Sequence, residues 1–233
     1  MDLSELKKVV YDANLALVKR NLVICTWGNV SAIDRERGLV VIKPRGIPYE
    51  KLVSEDMSVV DMEGRMVGKG LLPSVDLDIH LELYRRFPSI GGIAHTHSTY
   101  ATAWSQACRP IPVMGTTHAD HFYGSIPCTR LLTEEEVASE YERNQGKVIC
   151  ETMQDRNPVS MGGILTAGHG PFTWGKNADE AVEHAVILEE LAKMAWLTLN
   201  ITGGAAPVIP HYMVEKHYTR KYGPNSYFYQ EKK

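Results

Sequence analysis

In the segment GGIAHTHSTYATAW, His95 and His97 stand two residues apart near the end of a β-rich run. Side chains alternate along a strand, so both imidazoles point to the same face. Two nitrogen donors converging from one rigid element can begin a divalent transition-metal site; a pair of solvated strand histidines is the plainer alternative. A third imidazole stands in AGHGPFTWG, where Gly168 and Gly170 flank His169 and permit tight backbone geometry. Taken alone, it reads first as a buried-turn histidine capping a carbonyl. Asp76, in LPSVDLDIH, offers a carboxylate at a helix start, where helix capping is the competing role. Three imidazoles and one oxygen suit Zn2+, with Mn2+ or Co2+ also accommodated. An open position on such an ion polarises a carbonyl and stabilises an enolate oxygen.

A second dense stretch is TTHADHFYG, which places His118, Asp120, His121 and Tyr123 in one loop. Acid–base work by Asp120 is reasonable there if a substrate proton comes within hydrogen-bond reach. The two loop histidines could simply be solvated.

These residues need a scaffold, and the pattern of the chain describes one. Leu3, Leu6, Val10, Ala13 and Leu17 form one face of a helix over 3–20, opened by an Asp2/Glu5 capping box. Strands are expected at Leu22–Cys25, Val30–Ile33, Leu39–Ile42 and Met57–Val60, with a hairpin loop at Asp34–Gly38 and a short strand at Arg65–Val67. A helix is expected from Ser74 to Phe87, then a strand over Ile90–His97 and a helix from Ser98 to about Cys108. Thr133 opens a capping-box helix to about Asn144; Lys147–Thr152 and Gly163–Thr166 read as strands. Asn177 with Glu180 caps a long helix to about Leu199, and Pro210 and Gly223 bracket a last one. Hairpins mixed with helices predict an α/β protein whose sheet carries antiparallel pairs. No GxGxxG follows the first strand and no GxxxxGK[ST] occurs, so dinucleotide and P-loop chemistry lack support.

The composition agrees. The chain has 233 residues, 44% hydrophobic and 23% charged, ample for a core and consistent with a single domain spanning 1–233. A net charge of −3 argues against nucleic acid or an anionic membrane as partner. Apolar runs such as Gly162–Ala167 are far too short to span a bilayer. Cys25, Cys108, Cys128 and Cys150 have no zinc-ribbon spacing and read as reduced, mostly buried thiols of a cytoplasmic protein. The one unusual count is nine histidines.

Together, TWGNVSAIDRERG, IKPRG, HTHS, TTHAD, IPCTR and HGPFTWGK resemble the class II aldolase/adducin family, nearest to its L-ribulose-5-phosphate 4-epimerase branch. The resemblance runs over nearly the whole chain. It implies a three-layer α/β/α fold around a mainly antiparallel sheet, and a homotetramer with active sites between subunits. It implies metal ligation by Asp76, His95, His97 and His169. It implies retro-aldol and aldol chemistry on a sugar or sugar phosphate: a carbon–carbon bond breaks to an enediolate and an aldehyde, which re-adds on its other face and inverts one stereocentre. Asp120 matches a family acid/base, expected from the adjacent subunit, and His217 and Glu142 lie in matched contexts. Asn29, Lys43, Arg45, Gly46, Ser74 and Thr116 fall at substrate- or anion-binding positions. His118 and His121 belong near the proton-transfer region; His80, His184 and His211 read as structural or solvated.

Three residues depart from the epimerase pattern. The usual KPSG is Lys43-Pro44-Arg45-Gly46, the usual serine pair is Ser74-Val75, and the family's C-terminal catalytic tyrosine aligns with Phe228. Tyr227 and Tyr229 flank that position, and a one-residue slip would present Tyr229. A guanidinium at Arg45 binds phosphate, and binds a carboxylate equally well through a two-pronged fork. The expectation is therefore a metal-dependent sugar-phosphate 4-epimerase. The alternative is an aldolase, epimerase or decarboxylase on a carboxylated or non-phosphorylated ketose.

Overall fold

The computed structural model describes residues 2–222 and 226–227. Helix α1 (Leu3–Lys19) opens on the expected capping box: Asp2 accepts the Glu5 N–H and Glu5 accepts the Asp2 N–H, each at 2.8 Å. Asn21 at φ 56° then turns the chain, and the Leu22 N–H closes back on the Leu17 carbonyl at 3.0 Å. This overturns the strand expected at Leu22–Cys25. Left-handed residues Asn21 and Cys25 bracket the segment, and Leu22 packs with α1 instead of joining the sheet.

Six strands form one antiparallel sheet: β1 (Gly28–Asp34), β2 (Leu39–Ile42), β3 (Ser58–Asp61), β4 (Gly92–Thr96), β5 (Gly163–Leu165) and β6 (Pro171–Gly175), in the order β3-β2-β1-β4-β6-β5. The hairpin between β1 and β2 pairs Asp34 with Leu39. Period-two alternation sorts the two faces. Val30, Ala32, Val41, Val59 and Ala94 pack with α1 and the start of α7 (Ala178–Ile201). Val40, Ile42, Val60 and Ile93 pack on the other side with α2 (Leu77–Arg86) and α3 (Thr99–Gln106). The architecture is the expected α/β/α fold with a central antiparallel sheet.

Several local expectations change. Arg65–Val67 makes only a single bridge, Val60 to Met66, and no strand. The TTHA run is a one-turn helix, α4 (Thr116–Ala119). The Thr133 capping box is present, but its helix, α5 (Glu134–Ala138), stops at Ser139, whose φ of −104° and ψ of −109° leave the helical region. A new helix, α6 (Tyr141–Thr152), then replaces the strand expected at Lys147–Thr152. A short apolar run such as Val148-Ile149-Cys150 has no period that separates strand from buried helix. Packing decides: a Cβ on Gly146 would stand 2.7 Å from the Glu82 Cβ, so glycine lets α6 lie directly on α2. Strand β6 has no counterpart among the strands expected from the sequence; all five of its residues are buried. Asn177 caps α7 by accepting the Glu180 N–H at 2.9 Å, and Pro210 precedes α8 (His211–Tyr222). Gly223, Phe228 and Tyr229 lie outside the described residues.

All four cysteines are free thiols, but none is fully buried. Cys25 and Cys108 are exposed, and each occupies a left-handed turn position, at φ 54° and 52°. Among the described residues, no helix is long and apolar enough to cross a membrane.

Candidate active site

Strand β4 carries His95, and His97 follows just past its end; the turn between β5 and β6 carries His169. The three rings lie with centroids 4.7–4.9 Å apart, and one ligand nitrogen from each falls within 4.8 Å of the others. His95 Nε2 and His97 Nε2 are 3.1 Å apart. Tetrahedral ligands at zinc–nitrogen distances of 2.0–2.1 Å stand about 3.3 Å from one another, so this spacing fits a shared cation. Two of the outer nitrogens are already fixed. His95 Nδ1 is 3.0 Å from the Pro171 carbonyl, and His169 Nδ1 is 2.7 Å from Gln145 Oε1. Donation to those oxygens leaves each Nε2 with its lone pair free for the centre. Burial keeps all three imidazoles neutral: it lowers His95, and with the neighbouring rings it takes His97 to about 4 and His169 to about 3. Neutral, convergent imidazoles are what a metal requires.

Asp76 stands at the start of α2, yet its side chain makes no capping bond. Instead it accepts from Asn29 Nδ2 at 2.7 Å and from Ser74 Oγ at 3.2 Å. Asn29 is held opposite His95 in the β1–β4 register, and the carboxylate lies within electrostatic reach of His95 and His169, while the clustered donor atoms are those of the three imidazoles. Burial opposes ionisation of Asp76, but His95, His80, His169 and Asn29 outweigh it and keep the carboxyl below its ordinary range. Asn29 Oδ1 is buried without a partner among the described residues, an acceptor that a donor or cation at this place would satisfy. The donor set therefore fits a divalent ion. Beside it, the buried Lys43 donates to the Ile47 carbonyl at 3.0 Å and sits 4.7 Å from the Tyr49 ring centre. Arg45 and Gly46 form an exposed turn next to it.

The Asp120 group is built elsewhere, where α8 packs on α4. Asp120 accepts from Arg220 at 2.9 and 2.6 Å, and His217 Nδ1 is 3.1 Å away. Thr116 opens the same short helix. Glu142 lies on α6, one turn before Gln145. His118 and His121 have partners of their own: His118 is buried on the Gly124 carbonyl at 3.0 Å, and His121 Nε2 is 3.2 Å from Lys221 Nζ. His80 is buried against Ser31 at 2.7 Å, and His184 against the Trp174 carbonyl at 2.7 Å. Gln145 and Arg220 were missed by sequence reasoning. The only signal available was Arg220 lying three residues after His217 on one helix face.

Residues 8–196 match the description of the class II aldolase and adducin N-terminal domain. The chain belongs to the class II aldolase and adducin family. A curated relative, L-ribulose-5-phosphate 4-epimerase UlaF of Salmonella paratyphi C (strain RKS4594), is 56% identical over 229 residues, covering 98% of this chain and 100% of the relative. The protein of the same description from Salmonella typhi is also 56% identical, with the same coverage. Among solved structures, an L-fuculose 1-phosphate aldolase superposes with a TM-score of 0.80 at 27% identity, covering 94% of this chain and 97% of that one. The L-fuculose-1-phosphate aldolase of Thermus thermophilus, at 22% identity, TM-score 0.68 and coverage of 88% and 100%, shares the fold.

For this member of the class II aldolases, two outcomes follow from the site. Gln145→Leu removes the acceptor that orients His169, and metal affinity should fall about 10–100-fold with little change in the melting temperature of the metal-free protein. Competition with a chelator reads this directly. The second outcome concerns pH. His80, His97, His118, His121 and His169 are all depressed in the fold, to between about 3 and about 4, chiefly by burial. Their ordinary value is 6.5, so the unfolded chain binds more protons as pH falls from about 6.5 to 4. The stabilisation is complete above that window and is lost as pH drops through it. The melting temperature of the metal-free protein should hold above pH 7 and decline steadily down to pH 4; a flat profile to pH 4.5 would contradict the burial assigned to these rings.

Proposed function

We propose that this chain, as one domain, is a metal-dependent L-ribulose-5-phosphate 4-epimerase working as a cytoplasmic homotetramer, with Zn2+ the best-fitting ion and Mn2+ or Co2+ alternatives. The observation that carries the reading is the neutral His95–His97–His169 triad beside Asp76, in a chain matched end to end by relatives of that name. Bound by those four residues, a divalent ion would polarise the ketone and stabilise negative charge developing on its oxygen. The chain's own groups do the rest. Lys43 is a buried cation held by carbonyl oxygens, suited to anchor the substrate's anionic end. Asp120 takes the hydroxyl proton as the carbon–carbon bond breaks, its electrons passing to the ketose fragment as an enediolate. After the aldehyde turns over, the bond re-forms on the opposite face and a proton returns to the new alkoxide. His217 and Glu142 assist near the aldehyde, and Thr116 and Gly46 line the substrate; Tyr229, the second proton carrier of this reading, lies outside the described residues.

The triad and Asp120 sit on different elements, and a neighbouring subunit that brings its Asp120 to this triad completes the site. An exposed apolar strip on α7, with Trp196 48% and Ile201 85% exposed, supports association of copies.

A second reading has its own observation. Ser74 Oγ is engaged by Asn29 and Asp76, and Val75, 57% exposed, adds no hydroxyl, while Arg45 adds a guanidinium. That balance suits a carboxylated or non-phosphorylated ketose, handled by aldolase, epimerase or decarboxylase chemistry. Assay of the metal-loaded protein on L-ribulose 5-phosphate and on its carboxylated and unphosphorylated counterparts separates the two. Selective inversion of the phosphate ester supports the first reading. Turnover of a counterpart alone, or release of free aldehyde, replaces it with the second.

A further inference from the structure

Asp120 closes the short α4 turn, and α8 lies across it. Arg220 Nε and Nη2 donate to its two carboxylate oxygens, Oδ1 at 2.9 Å and Oδ2 at 2.6 Å. His217, one turn earlier on α8, sits 3.1 Å from Oδ1. This is no loose surface pair: the Asp120 side chain keeps 13% of its exposure and Arg220 26%. A planar fork on both oxygens fixes the rotation of a carboxylate as well as its place, which the point charge of a lysine does not. We propose that Arg220 is a positioning residue that fixes the Asp120 carboxylate, together with His217, in the orientation from which it exchanges a proton with substrate. The inference rests on reading Asp120 as the proton carrier.

The electrostatics support it. Burial opposes ionisation of Asp120, but the hydrogen bonds from Arg220 and His217 outweigh it and hold the carboxyl below its usual range. The groups facing it are the Arg220 guanidinium, Lys221 and the His217 imidazole on α8, and His121 next to it in sequence, which is itself bonded to Lys221. Arg220 cannot give up its proton, so it holds Asp120 as a base without competing for the substrate's proton. Removing the guanidinium lets the carboxyl rise.

The test compares Arg220→Gln, Arg220→Lys, Asp120→Asn and the double variant Asp120→Asn/Arg220→Gln, all metal-loaded, on L-ribulose 5-phosphate. Arg220→Gln should lower kcat about 10–100-fold with KM within about threefold and metal content unchanged. Its acidic limb of kcat should move up by about one pH unit or more, because activity needs the ionised carboxylate. Arg220→Lys should restore the limb, which depends on charge, but not the full kcat, which depends on the fork. In the Asp120→Asn background, Arg220→Gln should cost nothing further. A parent-like kcat and pH profile for Arg220→Gln, beside an inactive Asp120→Asn, overturns this inference alone. So does a lowered kcat with an unshifted limb and additive double-variant losses, which would make Arg220 a structural or substrate-binding residue. Full activity of Asp120→Asn, or no turnover by the parent, overturns the reading beneath it and the inference with it.

Discussion

Replacing His97 by alanine is expected to remove bound metal and activity together and to leave the fold intact. His97 stands beyond the end of β4, partly exposed, and its ring contacts are with the other two triad histidines and with Trp27 at 6.4 Å. Truncating it opens no core cavity, unlike truncation of His95, which is buried and stacked on Phe172 with centroids 4.1 Å apart. Two imidazoles and Asp76 then remain. Metal content should fall from about one per chain to less than a tenth of that. Lewis-acid stabilisation is worth several kcal/mol, so kcat should drop by about a thousandfold or more. The melting temperature of the metal-free variant should stay within about 2 °C of the metal-free parent, as for other substitutions away from the core. Unchanged metal stoichiometry would remove His97 from the ligand set.

Asp120→Asn is the second large effect, and it should separate cleanly from the first. Asparagine keeps the shape of the side chain but cannot carry the proton, so kcat should fall about 10²–10⁴-fold. Metal content should not change, because Asp120 belongs to the α4–α8 cluster and not to the triad. Some stability should go as well, since Arg220 loses its counter-charge and His217 its carboxylate partner in a partly buried place. Metal analysis beside steady-state kinetics reads both. A kcat within twofold of the parent, or metal lost in step with activity, would contradict the role given to Asp120.

The histidine cluster was legible because strand alternation is short-range: two residues of spacing put His95 and His97 on one face whatever the rest of the chain does. His169 was marked by its glycines, and the Asp2, Thr133 and Asn177 caps by their local spacing. The role of Asp76 was divided between capping and ligation, and only the fold shows that Asn29 and Ser74 take its carboxylate away from the helix end. The supporting residues were not legible. Gln145 meets His169 across 24 residues, and Arg220 meets Asp120 across 100, and neither distance leaves a periodic trace. The same reason hid α6: Val148 and Ile149 look like a strand until Gly146 is seen against α2.

The most direct test strips the purified protein of metal, titrates it with Zn2+, and follows interconversion of L-ribulose 5-phosphate and D-xylulose 5-phosphate at each addition. The stripped protein should show no activity, and activity should rise linearly and saturate near one ion per chain. Epimerisation that persists without metal, or a fully loaded protein that leaves L-ribulose 5-phosphate untouched, would contradict metal-dependent epimerisation by this chain.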